Sequence, residues 1–252
     1  MPHAGLLVDP RSLATLVAPA RSIGRDADLY VDELYGRAAE LGATLIVAHA
    51  SRYVCDLNRA ETDVDSRVAE SGTEWLPHGL VWWTTTEGDR ALAGPLAAAE
   101  LERRRATFHR PYHAAVAEAL AAKRARFGFA ILLCAHSMPS QGRAGHADSG
   151  RVRADVVPGS RGRTSADPRV IDLVDQVARD AGLVVAHDDP YKGGFSTGHY
   201  GRPAESLHAI QIELARRLYM DETSLLRRPR RFRSVRELAD AFVARLGSLD
   251  LR

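Results

Sequence analysis

At 252 residues, with 45% hydrophobic and 26% charged side chains, the chain has an ordinary globular composition and enough apolar surface for a substantial core. A formal net charge of +2 is too small to argue for a polyanionic partner, and no apolar run approaches the roughly 20 residues that cross a bilayer. The start, MPHAGLLVDP, has no secretory pattern, and Cys55 and Cys134 sit in apolar contexts rather than in a disulfide framework, so a cytoplasmic enzyme is expected.

In chain order, the apolar stripe over 28–41 (DLYVDELYGRAAEL) predicts a helix closed by Gly42. The run 43–48 (ATLIVA) predicts a buried strand, and 60–90 is mixed and turn-rich. Residues 96–126, rich in Ala, Leu, Glu and Arg, predict helix interrupted near Pro111. The clearest central strand is 127–134 (FGFAILLC). Residues 137–166 show no periodicity, and so long a loop inside a domain reads as functional, a lid being one reading. A helix over 169–180, strands over 183–186 and 208–214, and an amphipathic helix over 234–246 complete the chain. Strands alternating with helices predict one α/β domain over 1–252, with a mixed, mostly parallel sheet between two helical layers.

Ligands of such sheets bind beyond the carboxyl ends of the strands, so the polar residues there are the candidates. His136-Ser137 follows one apolar run; Asp56, Asn58 and Arg59 follow another; Glu213 lies within a strand, and His3 in a turn near the start. A hydrolytic zinc site needs three protein ligands, a carboxylate base and a cation for an anionic substrate. These residues can supply all three, although no HExxH-like motif links them. Each also has a plainer reading. His3 could be a frayed terminal residue, His136 a backbone-satisfied core histidine, and Glu213 half of a salt bridge. Asp28 could be a helix N-cap and Arg59 a surface cation. The run RRPRRFR (227–233) reads as a solvated face, not a nucleic-acid site.

The segment SRYVCDLNR (51–59) resembles the SRYVxDLNR signature of the N-formylglutamate amidohydrolase family. PHAG (2–5), RDADLYVDELY (25–35), HRPYH (109–113), AHS (135–137), YKGGFSTGHYGRP (191–203) and HAIQIELARRLYM (208–220) follow in the family's order. The resemblance implies a zinc-carboxypeptidase-like (phosphorylase/hydrolase-like) fold, shared with aspartoacylase, and one zinc per chain. It implies His3, Asp28 and His136 as ligands, with Asp26 in reserve for the carboxylate, and Glu213 as general base. Asn58 and Arg59 would hold the substrate carboxylate, with Arg52 or Arg110 as an additional cation. The implied substrate is a small-molecule N-formyl (or other small N-acyl) amino acid such as N-formyl-L-glutamate. A different amide, as cleaved by carboxypeptidases or aspartoacylase, and a binding protein without turnover are the alternatives; a homo-oligomer is not indicated.

Three positions depart from the pattern. Only Met1 and Pro2 precede His3 where the family has a strand, and Cys134 replaces an acid expected to support the metal site. Gly198 replaces an arginine, so a side-chain preference other than glutamate is expected.

Overall fold

In the computed structural model, which describes residues 1–72 and 75–252, the two strongest apolar runs lie side by side. β1 (Ala130–Met138), β2 (Val156–Gly159) and β3 (Leu207–Ala215) form a mixed sheet in the order β1–β3–β2. β1 runs parallel to β3 over its whole length, and β2 pairs antiparallel with β3 from the other side. β3 is buried at all nine positions, as expected of a central strand covered on both faces.

Side chains alternate across a strand, so period two divides the sheet into two faces. Ile210, Ile212 and Leu214 of β3, with Ile131, Leu133 and Ala135 of β1, face the main core. Ala209, Gln211 and Glu213 point the other way, beside Cys134 and His136 of β1, their register partners being Gln211 and Glu213 respectively. The active-site candidates therefore share the face that the main core leaves free.

Short helices α1 (Pro10–Leu13), α2 (Ala20–Asp26) and α3 (Val31–Leu34) precede the sheet, followed by α4 (Ala98–Arg104) and α5 (Arg110–Phe127). After β2 come α6 (Pro168–Asp180), α7 (Phe195–Tyr200) and, last, α8 (Pro229–Gly247). α6 and α8 bring Val170, Ile171, Val174, Leu238 and Phe242 to the main core. α5 packs Val116 and Leu120 near Tyr200, Leu207 and Ala209 on the far side.

Several sequence expectations need correction. The helix expected over 28–41 is reduced to α3, because Asp28 gives its N–H to the His3 carbonyl (2.9 Å) and Tyr30 adopts a left-handed φ of 67°. Turns follow it up to Gly42, whose φ of 86° does close the segment. The segment 43–48 is not a ladder strand. It runs beside the chain start, where the Ala48 N–H bonds the Met1 carbonyl (3.0 Å) and the Leu7 N–H bonds the His49 carbonyl (2.9 Å). The segment 183–186 makes a single parallel bridge, Val185 to Val156. Pro111 does interrupt its helix, through a π turn over Arg105–His109 that joins α4 to α5. The basic run 227–233 leads into α8, with Pro229 as a preferred first-turn residue.

Candidate active site

The chain start is pinned at both sides: the Met1 amine bonds the Ile46 carbonyl (2.8 Å), and the His3 carbonyl accepts from Asp28. His3 is consequently 4% exposed, not frayed. The other two expected ligands come from different elements. Asp28 lies in the extended link between α2 and α3 and caps no helix, and His136 projects from the end of β1. One ligand atom from each of His3, Asp28 and His136 falls within 4.8 Å of the other two, and all three residues are buried. Asp28 Oδ2 stands 2.9 Å from His136 Nδ1 and 3.6 Å from His3 Nδ1.

The outer nitrogens of both rings are also engaged. His3 donates from Nε2 to Asp56 Oδ1 (2.7 Å), leaving Nδ1 with its lone pair toward Asp28. His136 Nε2 lies 3.2 Å from Cys134 Sγ and 3.4 Å from Asn58 Nδ2. Burial raises the Asp28 carboxyl, but the hydrogen bond with His136 and the proximity of His3 outweigh it and hold the group well below the usual range. Burial opposes charge on His136, yet Cys134 and Asp28 carry its pKa well above the ordinary imidazole value. This small buried cluster thus favours positive charge beside its carboxylate. Two imidazoles, one carboxylate and an organised outer layer are the donor chemistry of a hydrolytic zinc site.

Asp26 is held elsewhere. Its carboxylate accepts from Tyr53 Oη (2.5 Å), the Thr86 N–H (3.1 Å), the Thr86 hydroxyl and Arg143 (2.8 Å). Arg143 belongs to the segment 137–166, which reaches across the cavity, where the Gly145 N–H also bonds the Thr86 carbonyl (2.8 Å). Arg216 braces the opposite side. Its guanidinium bonds the carbonyls of Arg25 and Ala27 and lies 3.4 Å from Asp28 Oδ1.

Glu213 is 6% exposed, and its Oε1 accepts from Gln211 Nε2 (3.0 Å). Burial, with the Asp28 charge adding to it, pushes its carboxyl up from 4.5 to about 7. That value suits a group that must take a proton and give it back near neutral pH. Gln211 also accepts from the Gly194 N–H (3.0 Å), tying β3 to the segment before α7. Asn58 receives the Ser196 N–H on Oδ1 (2.9 Å) and sits where any Cβ on Gly194 would lie, which is why glycine is required there.

These groups line a cavity of about 260 Å³. His3, Asp28, Asn58, Arg59, His136 and Glu213 all border it. Arg52 borders it too, with its guanidinium on Asp56 (2.9 Å) and over the Trp82 ring. Arg110 does not: it is half-exposed and paired with Glu61 and Glu102. Asp56, Gln211 and Arg216 also border the cavity, although the sequence marks Asp56 only as a strand-end residue and gives Gln211 and Arg216 no role. Period two on β3 carries the signal for Gln211, two residues from Glu213. Nothing local marks Arg216, whose bonds reach residues about 190 positions away.

The chain is 38% identical over 225 residues to N-formylglutamate deformylase of Pseudomonas aeruginosa, covering 88% of this chain and 81% of that one. It is 36% identical over 226 residues to the deformylase of Pseudomonas putida, with the same coverage. The crystal structure of N-formylglutamate amidohydrolase from Ralstonia eutropha superimposes with a TM-score of 0.86 at 31% identity, covering 97% of this chain and 90% of that one. A gene product from Agrobacterium tumefaciens, 21% identical, shares the fold with a TM-score of 0.66 over 98% of this chain and 88% of its own. This is an amidohydrolase. The sequence model described as N-formylglutamate amidohydrolase matches residues 1–220, and the chain belongs to that family.

Proposed function

We propose that the protein is a zinc-dependent amidohydrolase, with one metal ion per chain, that deformylates an N-formyl amino acid of the N-formyl-L-glutamate type. The observation that carries this reading is the convergence of His3, Asp28 and His136 one register pair away from a buried, proton-accepting Glu213. The named substrate of the relatives supplies the amide.

His3 and His136 would hold the ion through Nδ1 and Asp28 through a carboxylate oxygen. Zinc bound there supplies Lewis acidity, polarising the amide carbonyl and lowering the pKa of water. Asn58 and Arg59 grip the substrate's α-carboxylate and set its formyl group against the cluster. Glu213 takes the proton of the attacking water as the new C–O bond forms. As the C–N bond breaks, Glu213 returns that proton to the leaving nitrogen, giving formate and a free amino acid. Arg52, fixed on Asp56, contributes positive charge to the wall without moving.

Single-domain organisation over 1–252 is part of the reading: α8, beyond the matched residues, contributes Leu238, Ala239 and Phe242 to the same core as Ile210 of β3. A binding protein without turnover had its motive in a loose chain start and a missing acid. His3 is buried, which speaks against the first motive, and Cys134 stands beside His136 while Asp56 supports the other histidine.

The test is elemental analysis together with formate release from N-formyl-L-glutamate, for wild type and Glu213→Gln. One zinc per chain, and a variant that keeps its metal and loses its activity, supports the proposal. A folded protein without metal, or a fully active variant, overturns it.

A further inference from the structure

Six cations line the cavity: Arg25, Arg52, Arg59, Arg143, Lys192 and Arg216. Four are already matched to carboxylates: Arg25 to Glu87 (2.9 Å), Arg52 to Asp56 (2.9 Å), Arg143 to Asp26 (2.8 Å) and Arg216 to Asp28 (3.4 Å). Arg59 and Lys192 have no carboxylate partner among the described residues, and Arg59 Nε is buried without any hydrogen-bond acceptor. A cavity that neutralises four of its cations and leaves two open fits a ligand with two anionic groups.

The two open cations are rigidly based. His109 Nε2 bonds the Arg59 carbonyl (2.9 Å). The Lys192 carbonyl accepts the Arg161 N–H (2.7 Å), and two residues on, the Gly194 N–H is fixed to Gln211. Lys192 itself is exposed at the cavity mouth, where a compact charge on a flexible stem can meet a side-chain carboxylate. Position 198 offers no side chain. The space over Gly198 is filled by the Arg161 guanidinium, which bonds the Gly193 carbonyl (3.3 Å) and does not border the cavity.

Building on the proposed deformylation, we infer that Lys192 is the specificity-determining residue for the substrate side chain. Arg59 holds the α-carboxylate and Lys192 the second carboxylate, so the site selects a dicarboxylic N-acyl amino acid over its neutral isostere. The missing arginine at 198 then costs the enzyme none of its preference for glutamate.

Calorimetric binding to metal-loaded Glu213→Gln protein tests this without turnover, using N-formyl-L-glutamate and its near-isosteric neutral analogue N-formyl-L-glutamine, in which an amide replaces the side-chain carboxylate. One charge-assisted contact predicts about tenfold tighter binding of the glutamate compound. Adding Lys192→Met should reduce the ratio to about twofold or less, and Lys192→Glu should favour N-formyl-L-lysine instead. A preference that is absent, that survives Lys192→Met, or that is lost in Arg161→Ala instead overturns the assignment. Wild-type turnover of the same pair separates the two readings. A binding preference without turnover defeats the proposed chemistry and supports Lys192; equal turnover of both compounds defeats Lys192 and leaves the chemistry standing.

Discussion

His3 Nε2 lies 2.7 Å from Asp56 Oδ1, and Asp56 is itself fully buried beneath Arg52, Trp82 Nε1 and the Asn58 N–H. An ionised carboxylate only accepts, so the contact places the His3 proton on Nε2 and turns the Nδ1 lone pair toward the ligand cluster. Burial pushes Asp56 up, but its contact with His3 and the charge of Arg52 hold it well below the usual carboxylate range, so it stays an acceptor at neutral pH.

Asp56→Asn should therefore weaken metal binding by about 10- to 100-fold, the usual cost of losing such an outer partner. The amide can still accept, yet it removes the charge that favours this tautomer. Competition against a chelator of known affinity measures the effect. Unchanged affinity would mean that Asp56 serves only the packing of its own segment.

Glu213 gives a pH prediction that needs no substrate. Its carboxyl is raised from 4.5 to about 7 in the folded, metal-free protein, mainly by burial. The folded state thus binds this proton more tightly than the unfolded chain does. Its contribution to stability is full below about 4.5 and declines as pH rises to about 7. Glu213→Gln removes that decline. The metal-free variant should melt a few degrees above metal-free wild type at pH 8, and the gap should close near pH 4.5. A gap that is constant with pH would show that Glu213 titrates as an ordinary carboxyl. A cation in the cluster favours the carboxylate, so the acid limb of kcat/KM in loaded enzyme should lie below pH 7.

Arg216 joins three parts of the chain: it bonds the Arg25 and Ala27 carbonyls and Ser137, and it faces Asp28. Arg216→Met leaves a buried carboxylate short of positive charge and two carbonyls without donors. Loss of one buried partner of this kind costs about 3–5 kcal/mol. Metal binding restores positive charge beside Asp28, so the loss should be larger in chelator-treated protein than in loaded protein. Melting curves with and without zinc check this, and equal losses in both states would sink it.

Much of this arrangement was legible in the sequence where chemistry and periodicity coincide. FAILLCAHS and HAIQIEL each carry a period-two apolar face, and those two runs are the strands whose ends hold His136 and Glu213. The helix over 28–41 was misread because its apolar spacing is real, while a long-range bond from Asp28 to His3 sets the backbone there. Likewise, 43–48 is as apolar as a central strand but lies beside the chain start, outside the ladder. Asp56 and Cys134 show the limit most sharply. Position 134 offers His136 a thiol and no acid, whereas Asp56, 78 residues upstream in the chain, meets the other histidine, a pairing that no local pattern announces.

Arg59 and Arg110 were both candidates for holding the substrate, and the structure separates them. Arg59 borders the cavity, has a buried Nε without an acceptor, and follows Asn58, whose own amide accepts from Ser196 and lies 3.4 Å from Gln211 Oε1. Arg110 is neutralised by two glutamates on the surface, a setting in which ion pairs contribute little. Arg59→Ala should raise KM for N-formyl-L-glutamate by 10-fold or more, about the 1.4 kcal/mol of one charge-assisted contact. Arg59→Lys should recover only part of this, because an ammonium cannot reproduce the planar fork. Arg110→Ala should change kcat/KM by about twofold or less, within the effect of a surface charge. Steady-state kinetics on the three variants decides the matter. A large effect at Arg110 with none at Arg59 would move the carboxylate anchor out of the cavity and, with it, the orientation of the amide over Glu213.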